Sequence, residues 1–196
     1  MVRNGLRGID HLRELGGSVF KDFITGLPAR NEIEFSAALA VLHNWRRIDW
    51  RKVSLQSGSE SPLDAPIMAS ETITEDAEAL CEYPLFSMPG SAEEKKWGAF
   101  RADVLFLARD RSRIAYVENK IGARIRQDMI AGTIKCLDNC SHFKRASFVL
   151  LTGQEFFAAT YLGKLRAALA EFGNDRKNVS VHIMFWEDVF RACDAA

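Results

Sequence analysis

The period of hydrophobic and polar positions changes along this chain, and the changes mark out the elements. Over "NEIEFSAALAVLHNWRRI", Ile33, Phe35, Leu39, Leu42 and Trp45 recur near helical spacing, which predicts an amphipathic helix from about 31 to 46. Asn31 stands at the N-cap position, and Glu34 follows three residues later as in a capping box. "WRKVSLQS" reads as a short strand. From residue 100 the pattern sharpens. Strands are predicted over 102–108 and 113–121 around the charged turn "RDRS", and a helix over about 125–139. "ASFVLLTG" is a continuous apolar run, as expected of a central strand covered on both faces. "EFFAATYLGKLRAALAEFG" is helical with Gly173 as its stop, and "NVSVHIMFWEDVF" supplies a last strand ending near Trp186.

Elsewhere the periodicity is weaker. Residues 1–30 read as short helical pieces interrupted at Gly16-Gly17 and from Gly26 to Pro28. "SGSESPLDAPIMAS" and "SMPGSAEEKKWG" are loop-like, and "ETITEDAEALCEY" fits either a helix or an acidic strand. The expected organisation is one domain over 1–196, with an N-terminal helical extension at 1–30 and a loop-rich insertion at about 57–100. A leading helix followed by β-β-α-β-α-β describes an α/β fold with helices flanking a mixed sheet.

Composition narrows the function classes. Hydrophobic residues at 47% and charged residues at 27% describe a folded globular chain, not a disordered one. Lysine plus arginine and aspartate plus glutamate number 26 each, so a polyanion site has to be a local patch. No apolar run approaches a membrane span, and the N-terminus lacks the apolar core of a secretory signal, so a cytoplasmic protein without a membrane partner is expected. Cys81, Cys136, Cys140 and Cys193 are too sparse for a disulfide scaffold. Cys136 and Cys140 could share a helix face, but no nearby pair completes a zinc site, and they read as small buried hydrophobes.

The chemistry concentrates in "RADVLFLARDRSRIAYVENKIGA". Side chains alternate across a strand, so Tyr116, Glu118 and Lys120 share one face, and Ala115, Val117, Asn119 and Ile121 the other. A hairpin turning symmetrically about Asp110-Arg111 places Asp103 opposite Glu118, with Cβ atoms about 5 Å apart. Two carboxylates so close repel, and Lys120 or a divalent cation must offset them. Magnesium suits one or two carboxylates, a backbone carbonyl and several waters. An acidic pair, a metal and a lysine on one face suit hydrolysis of phosphodiesters.

"RADVLFL" followed by "YVENKIGA" resembles the PD-(D/E)xK nuclease superfamily, in which an aspartate on one strand precedes an E-x-K signature on the next. The matching residues are Asp103, Glu118 and Lys120; Ala102 stands where the motif's name has proline. The resemblance implies a restriction-endonuclease-like core, αβββαβ with a further α and β, and extends over roughly residues 30–190. It implies magnesium or manganese held by Asp103 and Glu118, with a backbone carbonyl from Val117 or Asn119. It also implies a glutamate from the leading helix, Glu32 by preference and Glu34 second, and a glutamine, Gln127, opening the helix after the E-x-K strand. Arg124 and Arg126 would then contact phosphates through the guanidinium fork. The implied activity is metal-dependent cleavage of nucleic acid, DNA before RNA, in a defence, mobile-element or repair setting. A homodimer or a partner protein is compatible with it.

Plainer readings stand beside these. Asp103 could begin a strand at a solvated edge, and Glu118 and Lys120 could be a solvent-facing pair. Leu105, Leu107, Ile114 and Tyr116 make that face apolar, however, and charges on an apolar face need partners. Glu32 could serve only the helix dipole, Glu34 a cap, and Gln127 an exposed helix position. Arg109, Arg111 and Arg113 read as a solvated turn. His11, His43, His142 and His182 have no metal-ligand spacing, and Trp45, Trp50, Trp97 and Trp186 read as packing residues. Two rival functions remain: an inactive nuclease-fold scaffold, and an unrelated α/β protein with an accidental E-x-K. The latter expects Asp103 and Glu118 to lie apart or on opposite faces.

Overall fold

The computed structural model describes residues 32–85, 100–121, 125–140, 143–154, 161–172 and 176–193. The expected extension at 1–30, Asn31, Trp97, Arg124, His11, His142 and Gly173 lie outside these residues. Helix α1 spans Glu32–Asn44. The strands are β1 (Ser54–Ser57), β2 (Ile67–Met68), β3 (Glu78–Leu85), β4 (Phe100–Leu107) and β5 (Arg113–Lys120). Helix α2 (Gln127–Asp138), β6 (Arg145–Thr152), α3 (Leu162–Phe172), β7 (Val179–Phe185) and α4 (Trp186–Arg191) follow.

The seven strands form one mixed sheet in the order β2-β1-β7-β6-β5-β4-β3. β5, β6 and β7 are parallel, while the pairs on either side of them are antiparallel. The connections β5–α2–β6 and β6–α3–β7 both put their helix on the same face, as two successive crossovers of one hand must. There Ile130, Ile134 and Leu137 of α2 and Leu165, Ala168 and Leu169 of α3 pack on Tyr116, Phe148 and Val181. On the other face, Phe35, Leu39 and Leu42 of α1 and Trp186, Val189 and Phe190 of α4 cover Val104, Val117, Val149 and Met184. β5 and β6 therefore lose water from both sides, which is why "ASFVLLTG" reads as a continuous apolar run and β5 is apolar but for Glu118 and Asn119 between its charged ends.

Three local readings are refined. Residues 78–85, left open between helix and acidic strand within the loop-rich stretch, take the strand alternative as β3, which pairs with β4 from Glu78↔Leu107 to Leu85↔Phe100. The buried side of this strand begins with Ala77 and Ala79. Alanines bury little apolar area, so the alternation is faint beside the surrounding glutamates. Within "WRKVSLQS", Trp50–Lys52 is a 3-10 turn, and only Ser54–Ser57 is strand. Finally, Ile33 and Trp45 lie outside the buried stripe of α1, 64% and 56% exposed, while Ser36, Ala38 and His43 lie within it. The stripe follows the sheet surface and takes small and hydrogen-bonded residues where space is tight. Trp50 and Trp186 are buried packing residues as expected.

His43 has a structural role. Its Nδ1 accepts from Trp50 Nε1 at 2.9 Å, which leaves Nε2–H to donate to the Ala77 carbonyl at 2.7 Å. Burial, as the larger influence, holds the imidazole below its ordinary pKa. Far along the sheet, Asp64 is fully buried and takes a bidentate pair from Arg176, at 2.9 and 2.8 Å, plus the Val181 N–H at 2.7 Å and the Ser59 hydroxyl. This network ties the segment between β1 and β2 to β7. At the end of β1, a Cβ on Gly58 would lie 2.7 Å from the Val181 carbonyl oxygen, so the approach of these two backbones requires glycine there.

Asp64→Ala leaves the Arg176 guanidinium buried without its partner. The variant should lose about 3–5 kcal/mol of stability, read as a lower urea midpoint at unchanged slope.

Candidate functional site

The site forms where β4 and β5 part. Their pairing runs Leu107↔Ile114, Phe106↔Ala115, Leu105↔Tyr116 and Val104↔Val117, the register expected for a turn centred on Asp110-Arg111. Asp110 stabilises that turn by accepting from the Ser112 N–H at 2.9 Å and from its hydroxyl at 2.7 Å. Arg111 sits there at φ 55°. The paired stretch stops at Val104↔Val117. One step on, the Asp103 carboxylate accepts the Asn119 N–H at 2.7 Å. A side chain thus satisfies a main-chain donor that the neighbouring strand no longer serves.

Lys120 closes the cluster. Its Nζ lies 3.0 Å from Glu118 Oε1 and 3.8 Å from Asp103 Oδ2, and it donates to the Asn119 carbonyl at 3.0 Å. An ammonium has three donors and no acceptor, and here it meets three oxygens. Glu118 is buried, with 5% of its side chain exposed, while Lys120 and Asp103 are 12% and 21% exposed. The cluster is therefore drier at the glutamate and open to water at the aspartate. Glu118 continues the face of Ile114 and Tyr116. The Tyr116 hydroxyl donates to the Arg101 carbonyl at 2.7 Å, and its pKa is raised well above the ordinary phenol value, by burial first and then by the negative charge of Glu118.

Asn119 points to the opposite face. Its side chain is fully buried, donates to Ser36 Oγ at 3.1 Å and accepts from Trp186 Nε1 at 2.9 Å. It thus fastens β5 to α1 and α4 directly behind the charged cluster. The sequence signalled this anchor only as a polar residue on the buried face of a strand, and gave no sign of its partners.

The expected site residues divide as follows. Asp103, Glu118, Lys120 and the Asn119 carbonyl come together, contrary to the expectation attached to an accidental motif. The Val117 carbonyl belongs to a residue paired with both β4 and β6, with its side chain in the core, so Asn119 is the residue that presents a carbonyl to the cluster. Glu32 is the first residue of α1, and its side chain lies outside the described residues; Glu34 is half-buried on the same helix. Gln127 opens α2, exposed, on the sheet face that carries Glu118. Arg126, at the N-cap of α2, is exposed and holds Asp128 at 2.8 Å; Arg124 is outside the described residues. Among the described residues no three or more His, Cys, Asp or Glu side chains gather as a metal cage. Two carboxylates and one carbonyl nonetheless make an all-oxygen donor set, which fits a hard cation that keeps several waters better than zinc.

Comparisons with protein-family models, curated proteins and solved structures return no match for this chain.

Two measurements check the geometry. Asn119→Ala strands the Trp186 N–H and should cost about 1–3 kcal/mol in chemical denaturation. The Tyr116 proton is held more tightly in the folded state, so its contribution is complete below the unfolded phenol pKa of about 10 and is lost as pH rises through the folded value. Stability should therefore fall above about pH 10, and Tyr116→Phe should flatten that alkaline decline.

Proposed function

We propose that the chain is a metal-dependent nuclease that hydrolyses phosphodiester bonds, most naturally in DNA, on a restriction-endonuclease-like core. In this reading α1, β3, β4, β5, α2 and β6 supply the αβββαβ unit, and α3 and β7 are the further helix and strand. The observation that carries the reading is the convergence of Asp103, Glu118 and Lys120 at the point where β4 and β5 separate, with the Asn119 carbonyl beside them. The donor set supports magnesium or manganese held by Asp103, Glu118 and the Asn119 carbonyl. Bound there, the ion would supply charge neutralisation and a more acidic water.

The chain's own groups do the rest. Lys120 orients the attacking water from its position between the carboxylates and donates to the negative charge that develops on the phosphate. Glu118, in the drier part of the site, fixes the ammonium by their 3.0 Å contact. Asp103, at the wetter edge, faces the side from which a strand of nucleic acid approaches. Asn119 and Tyr116 brace β5 from both faces, so these groups are held in place before substrate arrives. Gln127 lies at the start of the neighbouring helix, and Arg126 exchanges its exposed partner Asp128 for a backbone phosphate. Glu32 adds a second oxygen ligand or orients water.

One observation favours a second reading, an inactive scaffold of the same fold. Lys120 already pairs with both carboxylates, which leaves the trio one net negative charge that a folded protein can hold with no ion bound. Metal affinity separates the two. A nuclease should gain thermal stability with millimolar magnesium or manganese, and this gain should vanish in Glu118→Ala. A scaffold should show neither effect. In cleavage assays on labelled single-stranded DNA, duplex DNA and RNA, Lys120→Ala should lower turnover by roughly 10²–10⁴-fold with its fold intact. Full activity in that variant would sink the assignment.

A further inference from the structure

The opposite end of the same sheet holds a second chemically marked cavity. It occupies about 370 Å³ at the N-terminal ends of the parallel strands, where β5 begins at Arg113, β6 at Arg145 and β7 at Val179. Eight-residue β5 separates Arg113 from Lys120, so the two sites lie about 23 Å apart along the strand. Four cationic side chains line the cavity, Arg113, Lys144, Arg145 and Lys177, against one carboxylate, Glu71. Among the described residues none of the four cations is in an ion pair; Arg113 donates only to the Glu71 carbonyl, at 3.2 Å. Asp110 feels Arg113 and Lys144 weakly, its carboxyl being held down chiefly by Ser112.

The wall is equally distinctive. His182 lines the cavity, is 1% exposed, and makes no well-formed hydrogen bond at either ring nitrogen, with the Gln56 backbone as a polar neighbour. A neutral imidazole carries one donor and one acceptor, and in a dry site at least one of the two here lacks a good partner. Burial lowers the pKa of this ring, opposed by the Asp64 carboxylate and a loose hydrogen bond to the Gln56 backbone. Beside it, the Ser147 and Ser180 hydroxyls share one hydrogen bond of 2.9 Å and retain capacity for another. A cavity of this size is in the range that takes a small molecule. Its net positive lining, with two hydroxyls and a buried imidazole in its wall, describes a receptor for a compact anion with several acceptor oxygens.

We propose that this cavity binds a small phosphate-bearing ligand, with Arg113, Lys144, Arg145 and Lys177 taking the charge and His182 and the paired serines reading its polar atoms. The assignment does not depend on the nuclease reading, because it uses none of the residues of the carboxylate cluster. A nucleic-acid backbone fits less well, since a duplex lying across the rim would not reach His182 and the serines in the wall.

Calorimetric titration at fixed ionic strength tests this with the full chain. The probes are inorganic pyrophosphate, adenosine 5′-monophosphate and a twelve-base-pair duplex, each with wild type, Lys144→Ala/Arg145→Ala and His182→Phe. Saturable binding of pyrophosphate or the monophosphate, weakened at least tenfold in the double variant, is expected. Tighter binding of the monophosphate would identify a nucleotide, and equal binding a bare phosphate group. His182→Phe should weaken binding too. If that variant does not fold, the exposed double variant decides alone. No saturable binding of either small probe, binding unchanged in the double variant, or binding of the duplex alone would overturn the proposal.

Discussion

Strand β5 is covered on both faces, and much of the structure is arranged around that constraint. A strand in this position cannot leave a polar group to solvent, so each of its polar side chains must find a partner on the layer it faces. Asn119 finds Ser36 and Trp186 on one side. Glu118 finds Lys120, two residues along the same strand, on the other. The alternation of the strand thus places a neutral anchor and a charged cluster back to back. The anchor holds the backbone whose carbonyl and amide the cluster uses.

The same constraint explains where the sheet opens. β4 and β5 pair closely while both present apolar residues, and pairing ends at Val104↔Val117, just before the carboxylates would be pressed together. Past that point the Asp103 side chain takes over the Asn119 amide. The parting relieves repulsion between two acids and leaves the wetter one accessible. Burial at Glu118 and access at Asp103 give the cluster a dry side and a wet side.

The two ends of the parallel strands differ in the charge they gather. Arginines and lysines collect where β5, β6 and β7 begin, and carboxylates collect where β4 and β5 part. The net charge of zero conceals this division. A chain can be neutral overall and still present two local fields of opposite sign.

The sequence by itself determined the strong elements and the central hairpin. Helical period marked α1, α2 and α3, an unbroken apolar run marked β6, an apolar stretch broken by Glu118 and Lys120 marked β5, and a short charged turn set the register that brings Asp103 toward Glu118. These are local signals, carried by residues close in the chain. Tertiary structure decided the rest. The strand character of 78–85 rests on alanines whose value appears only when β4 lies beside them. The exposure of Ile33 and Trp45 depends on which part of α1 meets the sheet. The partners of Asn119 come from residues 83 and 67 positions away, the Asp64–Arg176 pair spans 112, and the cavity around His182 joins three strand ends. Such contacts depend on the packing of distant layers, and no periodicity along one chain encodes which distant residue will arrive.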